Sequence, residues 1–260
     1  HIEMILNSFK HIFRNLYIRK YHTLINVLGL AIGIASIVWG YQTYRFSFSF
    51  DNFHPNRDQI YRVITKTTGR DAFNGYCPLP IGPLMKSEYS GVKEFVRMEG
   101  VNLTIKSGQE ESLTSYVTYT DPAFFDFFNF PLIKGTNDIS DRAAILLSEK
   151  SAKRFFGTND PIGQTLLFHA GEVYQQPLKV AGVLKDPPFN SSIQFDVITN
   201  FNNYIKSDST SLKSDDWTWM ADVMFLKIPN PGDVQNLNKE LAKYLPIQNA
   251  ARKDIQLAQF

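Results

Sequence analysis

The chain has 260 residues, 43% of them apolar and 20% charged. That balance suits one membrane anchor plus one or two compact domains and excludes a disordered chain. The net charge of +2 is unevenly spread: residues 1–45 hold Lys10, Arg14, Arg19, Lys20 and Arg45 against Glu3 alone, leaving 22 basic and 24 acidic residues beyond. A slightly acidic remainder carries no electrostatic footprint for nucleic acid. With Cys77 as the only cysteine, an intrachain disulfide is excluded, and the five histidines show no metal-ligand spacing.

His1-Ile2-Glu3 ahead of Met4 reads as a cloning scar and is left out of fold reasoning. Ile5, Phe9, Ile12, Phe13, Leu16 and Tyr17 recur at helical spacing, with Lys10, Arg14 and Asn15 off the stripe. Residues 1–22 therefore read as an amphipathic helix lying on the inner leaflet. Residues 23–44 contain no charge and span roughly 33 Å as a helix, enough to cross a hydrocarbon core. A signal peptide is the competing reading. It fits less well, because the segment ends in the bulky Trp39-Gly40-Tyr41-Gln42-Thr43-Tyr44, an aromatic belt where a cleavage site needs small residues. Basic residues crowd the N-terminal flank, so the positive-inside rule puts residues 1–22 in the cytoplasm and residues 45–260 outside. Gly29 and Gly33 form a G-x-x-x-G pair, a face on which a second helix packs closely in lipid.

Beyond the span, alternation and β-branching predict strands over 59–65, 92–99, 103–107, 115–120, 144–147, 165–169, 178–184, 195–200, 223–228 and 255–260. Helices are predicted over 79–90, over 122–128 with Asp121 as N-cap and Pro122 at the first position, over 149–156 between Ser148 and Gly157, and over 233–244. The many Phe residues, often paired, read as core. Asp160-Pro161-Ile162-Gly163, Asp186-Pro187-Pro188 and Asn190-Ser191-Ser192 read as turns, and residues 206–216 as a mobile polar loop. Strands and short helices mix without a βαβα rhythm, which predicts an α+β fold.

Little in the chain points to catalysis. No G-x-x-x-x-G-K-[ST] or G-x-S-x-G motif occurs, and Lys66-Thr67-Thr68-Gly69 lacks the S-x-x-K that would make it a β-lactam-enzyme signature. Cys77, beside Pro78, has no evident base. No catalytic, cofactor-binding or metal-ligating residue is assigned.

The run from Arg14-Asn15-Leu16 through Ile25-Asn26-Val27-Leu28-Gly29-Leu30-Ala31-Ile32-Gly33 resembles the first membrane helix of MacB/FtsX-type ABC-transporter permeases, especially the Bacteroidetes-like versions. Ser49-Phe50-Asp51-Asn52-Phe53-His54 with Ile60-Tyr61-Arg62-Val63 resembles the start of their periplasmic core domain. The resemblance continues through Asp121-Pro122-Ala123-Phe124-Phe125, Ser151-Ala152-Lys153 with Phe156-Gly157, Asp160-Pro161-Ile162-Gly163, and Val180-Ala181-Gly182-Val183-Leu184-Lys185-Asp186-Pro187-Pro188. It covers about residues 5–246. It implies a mixed α/β periplasmic domain, with a porter-like part over about 45–98 and 217–260 and an inserted Sabre-like part over about 99–216. It also implies further membrane helices after Phe260, so that the chain is a fragment truncated at its C-terminus. The implied setting is the bacterial inner membrane. The implied partners are a cytoplasmic ABC ATPase, separate or fused, a second permease unit, membrane lipid and a periplasmic adaptor. The implied function is coupling of ATP-driven motion to export of peptides, antibiotics or lipoproteins. Asp51, Phe53 and His54 are expected at the membrane–domain junction, with Asp51 and His54 capping it. Arg45-Phe46-Ser47-Phe48 departs from the acidic residue usual before the Ser-Phe-Asp run. The alternative reading is a single-pass anchored sensor or ligand-binding domain.

Overall fold

The computed structural model describes residues 14, 16–108, 112–170, 174–204 and 213–260. These divide into two units, residues 1–50 and residues 51–260.

The first unit is dominated by helix α1, Lys20–Ser47. Its 28 residues extend about 42 Å. None is buried, and the helix is long and apolar enough to cross a membrane. It exceeds the charge-free segment by a turn at each end, because Lys20 and Arg45 have long stems that carry their charge away from an apolar helix. Of the amphipathic stripe predicted upstream, Ile5, Phe9, Ile12 and Phe13 lie outside the described residues. Leu16 and Tyr17 are helical and exposed.

In the second unit the elements run β1 Ile60–Arg62, β2 Thr65–Thr67, β3 Phe73–Asn74, β4 Cys77–Pro78, α2 Ile81–Glu88, β5 Glu94–Ser107, β6 Leu113–Thr120 and α3 Phe124–Phe127. They continue with β7 Leu132–Gly135, β8 Ala144–Ser148, α4 Glu149–Phe156, β9 Thr165–Ala170, β10 Tyr174–Leu184 and β11 Val197–Asn200. The last are β12 Met220–Ala221, β13 Val223–Lys227, α5 Val234–Ala242, α6 Leu245–Ala251 and β14 Leu257–Gln259. The fold is a mixed α/β one built on a sheet in the order β1-β13-β5-β6-β11-β8-β10-β7, with β9 joining β10 to β5. Among the described residues, only β8–β10 and β6–β11 pair in parallel; every other pair in this sheet is antiparallel.

Strand β5 organises the sheet. One edge pairs with β6 from Met98 to Ile105. The other edge pairs twice, with β13 over Glu94–Met98 and with β9 over Thr104–Ser107. Glu99 to Leu103 is left as a gap between them.

The side-chain period of two sorts the apolar residues onto opposite faces. Ile145 and Leu147 face one way, with Val117, Val180 and Val197, and are covered by Phe155 of α4. Leu146 and Ile198 face the other way, into a layer of Phe124, Phe127, Phe128, Phe130 and Phe195. The Phe pairs are thus mostly core, as their composition suggested. A third cluster packs α2 and α5 on β13 through Met85, Leu237, Leu241 and Leu226.

The helix over 149–156 is capped as predicted: Ser148 Oγ accepts from Ser151 N–H at 3.1 Å, and Gly157 closes it at φ 60°. Four expectations fail. The strand over 59–65 divides, because β1 pairs with β13 while β2 turns away to pair with β3 and β14. The strands over 92–99 and 103–107 are one, β5, with Gly100 inside it. The helix after Pro122 shrinks to four residues, and the Asp121 carboxylate does not cap it, being held by Arg97. Helix α6 and the short strands β3, β4, β7 and β12 were not predicted, because pieces this short carry too little periodicity to read. Of the polar loop over 206–216, residues 206–212 lie outside the described residues.

Candidate functional site

Gly29 and Gly33 lie one turn apart on α1, and a Cβ built at either meets nothing within 4 Å. Their face of the helix is open, with Ser36 turning its hydroxyl inward to the Ile32 carbonyl at 2.8 Å.

Asp51, Phe53 and His54 open the second unit and form one cluster. Asp51 has φ 55°, the left-handed region that Asp tolerates better than most residues. This bend lets its N–H donate to Asn190 O at 3.1 Å while Oδ1 accepts from Ser192 N–H at 2.9 Å and Ser191 Oγ–H at 3.2 Å. One residue therefore clamps the start of the second unit to the loop before β11. His54 N–H returns to Asp51 O at 3.3 Å.

The His54 ring is 3% exposed and lies among the rings of Phe53, Phe128 and Phe130, at 4.0, 5.1 and 5.3 Å between centroids. Nδ1 accepts from Asn129 N–H at 3.0 Å, so the neutral ring carries its proton on Nε2. Nε2 has no hydrogen-bond partner and sits 4.0 Å from Asp51 Oδ1. Burial holds the imidazole pKa below its ordinary value, and the Asp51 charge opposes that only in part. The three residues expected at the junction are brought together. Their partners, Asn129 and the 190–192 loop, were invisible beforehand because they lie 75 to 141 positions away.

Two polar assemblies that the sequence did not single out flank β5. Arg97 is 4% exposed, and its Nε and Nη2 donate to Asp121 Oδ2 and Oδ1 at 2.9 and 2.6 Å. The guanidinium stacks on Phe201 at 4.3 Å. Two residues on, Glu99 Oε2 accepts from Asp222 N–H at 3.0 Å, and Tyr204 also hydrogen-bonds the carboxyl. Burial, then the nearby Asp222 charge, pushes the Glu99 carboxyl up to about 7, against the pull of those two hydrogen bonds. The same surroundings push Tyr204 up to about 12. Asp222 Oδ2 in turn accepts from Gly100 N–H at 3.2 Å, covering part of the edge gap in β5.

Among the described residues, no group of three or more His, Cys, Asp and Glu is placed to hold a metal ion. Cys77 is fully buried against Met224, and burial pushes its thiol up, away from the reactive thiolate.

The family model of the MacB-like periplasmic core domain matches residues 23–244. The chain belongs to this family. Among curated relatives it is similar to the pyoverdine export ATP-binding/permease protein PvdT of Pseudomonas savastanoi pv. phaseolicola, at 24% identity over 197 residues. The alignment takes in 70% of this chain, which spans only 28% of that relative's length. PvdT of Pseudomonas syringae pv. tomato matches over the same length at 23%. Three solved structures share the fold. A permease-protein domain from Porphyromonas gingivalis has a TM-score of 0.60 at 20% identity, covering 78% of this chain and 88% of that one. The extracellular domain of the ABC-type transporter YknZ from Gram-positive bacteria scores 0.55 at 18%, covering 77% and 100%. The periplasmic region of MacB from Actinobacillus actinomycetemcomitans scores 0.53 at 17%, covering 77% and 88%. The MacB-like core domain together with one apolar N-terminal helix fits an inner-membrane protein with a periplasmic domain.

Proposed function

We propose that this MacB-like chain is the transmitting part of an ABC-transporter permease, carrying ATP-driven motion from the membrane into its periplasmic domain. The ATP is hydrolysed on a cytoplasmic ATPase, separate or fused, and the chain has no catalytic role. The N-terminus is cytoplasmic and residues 45–260 periplasmic, a direction supported by the basic flank at Lys10, Arg14, Arg19 and Lys20. The exported material is of the peptide, antibiotic or lipoprotein kind. A second permease unit packs on the Gly29–Gly33 face, and a periplasmic adaptor completes the assembly. In this reading the porter-like part is about residues 45–98 and 217–260, and the inserted part about 99–216.

The observation that carries the proposal is the Asp51–His54 cluster. Asp51 begins the second unit four residues after α1 ends, and it is tied by three hydrogen bonds to the 190–192 loop. No glycine lies between Arg45 and Pro55. A short connection without glycine, anchored directly into the domain, passes force on where a flexible linker dissipates it. A Gly-Ser linker inserted after Phe50 in the full-length gene product is expected to abolish transport while circular dichroism shows the domain still folded. Undiminished transport by the folded insertion variant refutes the proposal.

A further inference from the structure

A cavity of about 250 Å³ opens beside the edge gap of β5. Met98, Ile193 and Phe225, all part of the Phe-rich layer or packed on it, make its apolar floor. Gly100 shapes it: a Cβ there would stand 1.9 Å from the Tyr116 hydroxyl oxygen, so the phenol lies across the strand only because residue 100 has no side chain.

The polar groups around this floor are incompletely used. Thr118 is 2% exposed and lines the cavity, yet among the described residues its hydroxyl has no hydrogen-bond partner. A buried hydroxyl without a partner loses its bonds to water and gains nothing in return. Among the described residues, Asp222 Oδ2 accepts only from Gly100 N–H, a small part of a carboxylate's capacity. Among the described residues, no Lys, Arg or His forms an ion pair with Asp222. Arg62 also lines the cavity, but its guanidinium lies against Gly75. The Glu99 carboxyl, linked to Asp222 through the Asp222 N–H, adds to the negative potential on this side. Acidic groups along an apolar floor, with a hydroxyl lacking a partner, complement a ligand with a cationic donor at one end and a short apolar body at the other.

We propose that this cavity binds a small organic cation, an ammonium or guanidinium group on a short apolar body, with Asp222 taking the charge and Thr118 a hydrogen bond. The inference does not depend on transport. Ser192 both lines the cavity and donates its N–H to Asp51, so a bound cation touches the loop that Asp51 clamps.

The test uses the full chain in detergent, titrated with 2-phenylethylamine and, separately, with its neutral counterpart 2-phenylethanol, by saturation-transfer NMR at pH 7.5. Saturable binding of the amine is expected. It should weaken at least about tenfold in Asp222→Asn, which removes a charge-assisted bond, and several-fold in Thr118→Val. Circular dichroism melts report whether each variant folds. If Asp222→Asn does not melt cooperatively, Thr118→Val, which exchanges a hydroxyl for a methyl of similar volume, decides alone. Equal binding of amine and alcohol, amine titrations unchanged by the folded variants, or no saturable amine binding each overturns the proposal.

Discussion

Replacing Glu99 by Gln is expected to stabilise the protein at alkaline pH and to leave it unchanged in acid. Glu99 is 8% exposed, and its carboxyl titrates at about 7 in the folded chain against 4.5 for an unperturbed Glu. Because the folded value is the higher one, the Glu99 contribution to stability is fully present below pH 4.5. It is lost as pH rises from 4.5 to about 7. At about 1.4 kcal/mol per pH unit, that window is worth about 3 kcal/mol. Gln keeps a carbonyl oxygen to accept from Asp222 N–H but cannot ionise. The stability difference between Glu99→Gln and the parent should therefore grow from near zero at pH 4.5 to about 3 kcal/mol at pH 8. His54 titrates with the opposite slope: its lowered pKa makes its contribution present above 6.5 and lost as pH falls. It is common to both proteins and cancels in the difference. Urea unfolding of the full chain in detergent, followed by tryptophan fluorescence at a series of pH values, measures the quantity directly. Parallel pH profiles for the two proteins would show that burial of Glu99 does not raise its pKa and would refute the reasoning.

Two further outcomes follow from the polar assemblies. Asp121→Ala leaves the Arg97 guanidinium buried without its carboxylate, and should cost about 3–5 kcal/mol in the same unfolding assay; a cost below 1 kcal/mol would mean water reaches Arg97. Asp51→Ala removes the acceptor of two hydrogen bonds and the tolerance for φ 55°, and should cost about 1–3 kcal/mol. Asp51→Asn, which keeps an oxygen and the backbone tolerance, should cost less than half as much, and equal costs would show that the clamp contributes nothing beyond local bulk.

What the amino-acid sequence determined by itself was everything governed by neighbours in the chain. The absence of charge over 23–44 dictates an apolar helix, since its backbone satisfies its own hydrogen bonds and its side chains need no water. Ser148 and Gly157 bound α4 because a hydroxyl and a left-handed glycine act within one turn. The ordered series of motifs from Arg14-Asn15-Leu16 to Asp186-Pro187-Pro188 pointed to the family, each being short and local. The grouping of Asp51 with His54 was legible because they lie three positions apart. Tertiary structure alone decided what depends on register between distant strands. Asp121 reads locally as an N-cap, yet it is drawn to Arg97 because β5 and β6 pair antiparallel with Met98 opposite Thr120. Glu99 meets Asp222 across 123 positions because β13 stops pairing at Met98. Gly100, which locally reads as a strand break, sits inside β5, where the missing side chain makes room for Tyr116. Propensity and capping sum over a few residues, whereas the burial that raises a pKa or shapes a cavity comes from the whole sheet closing around a point.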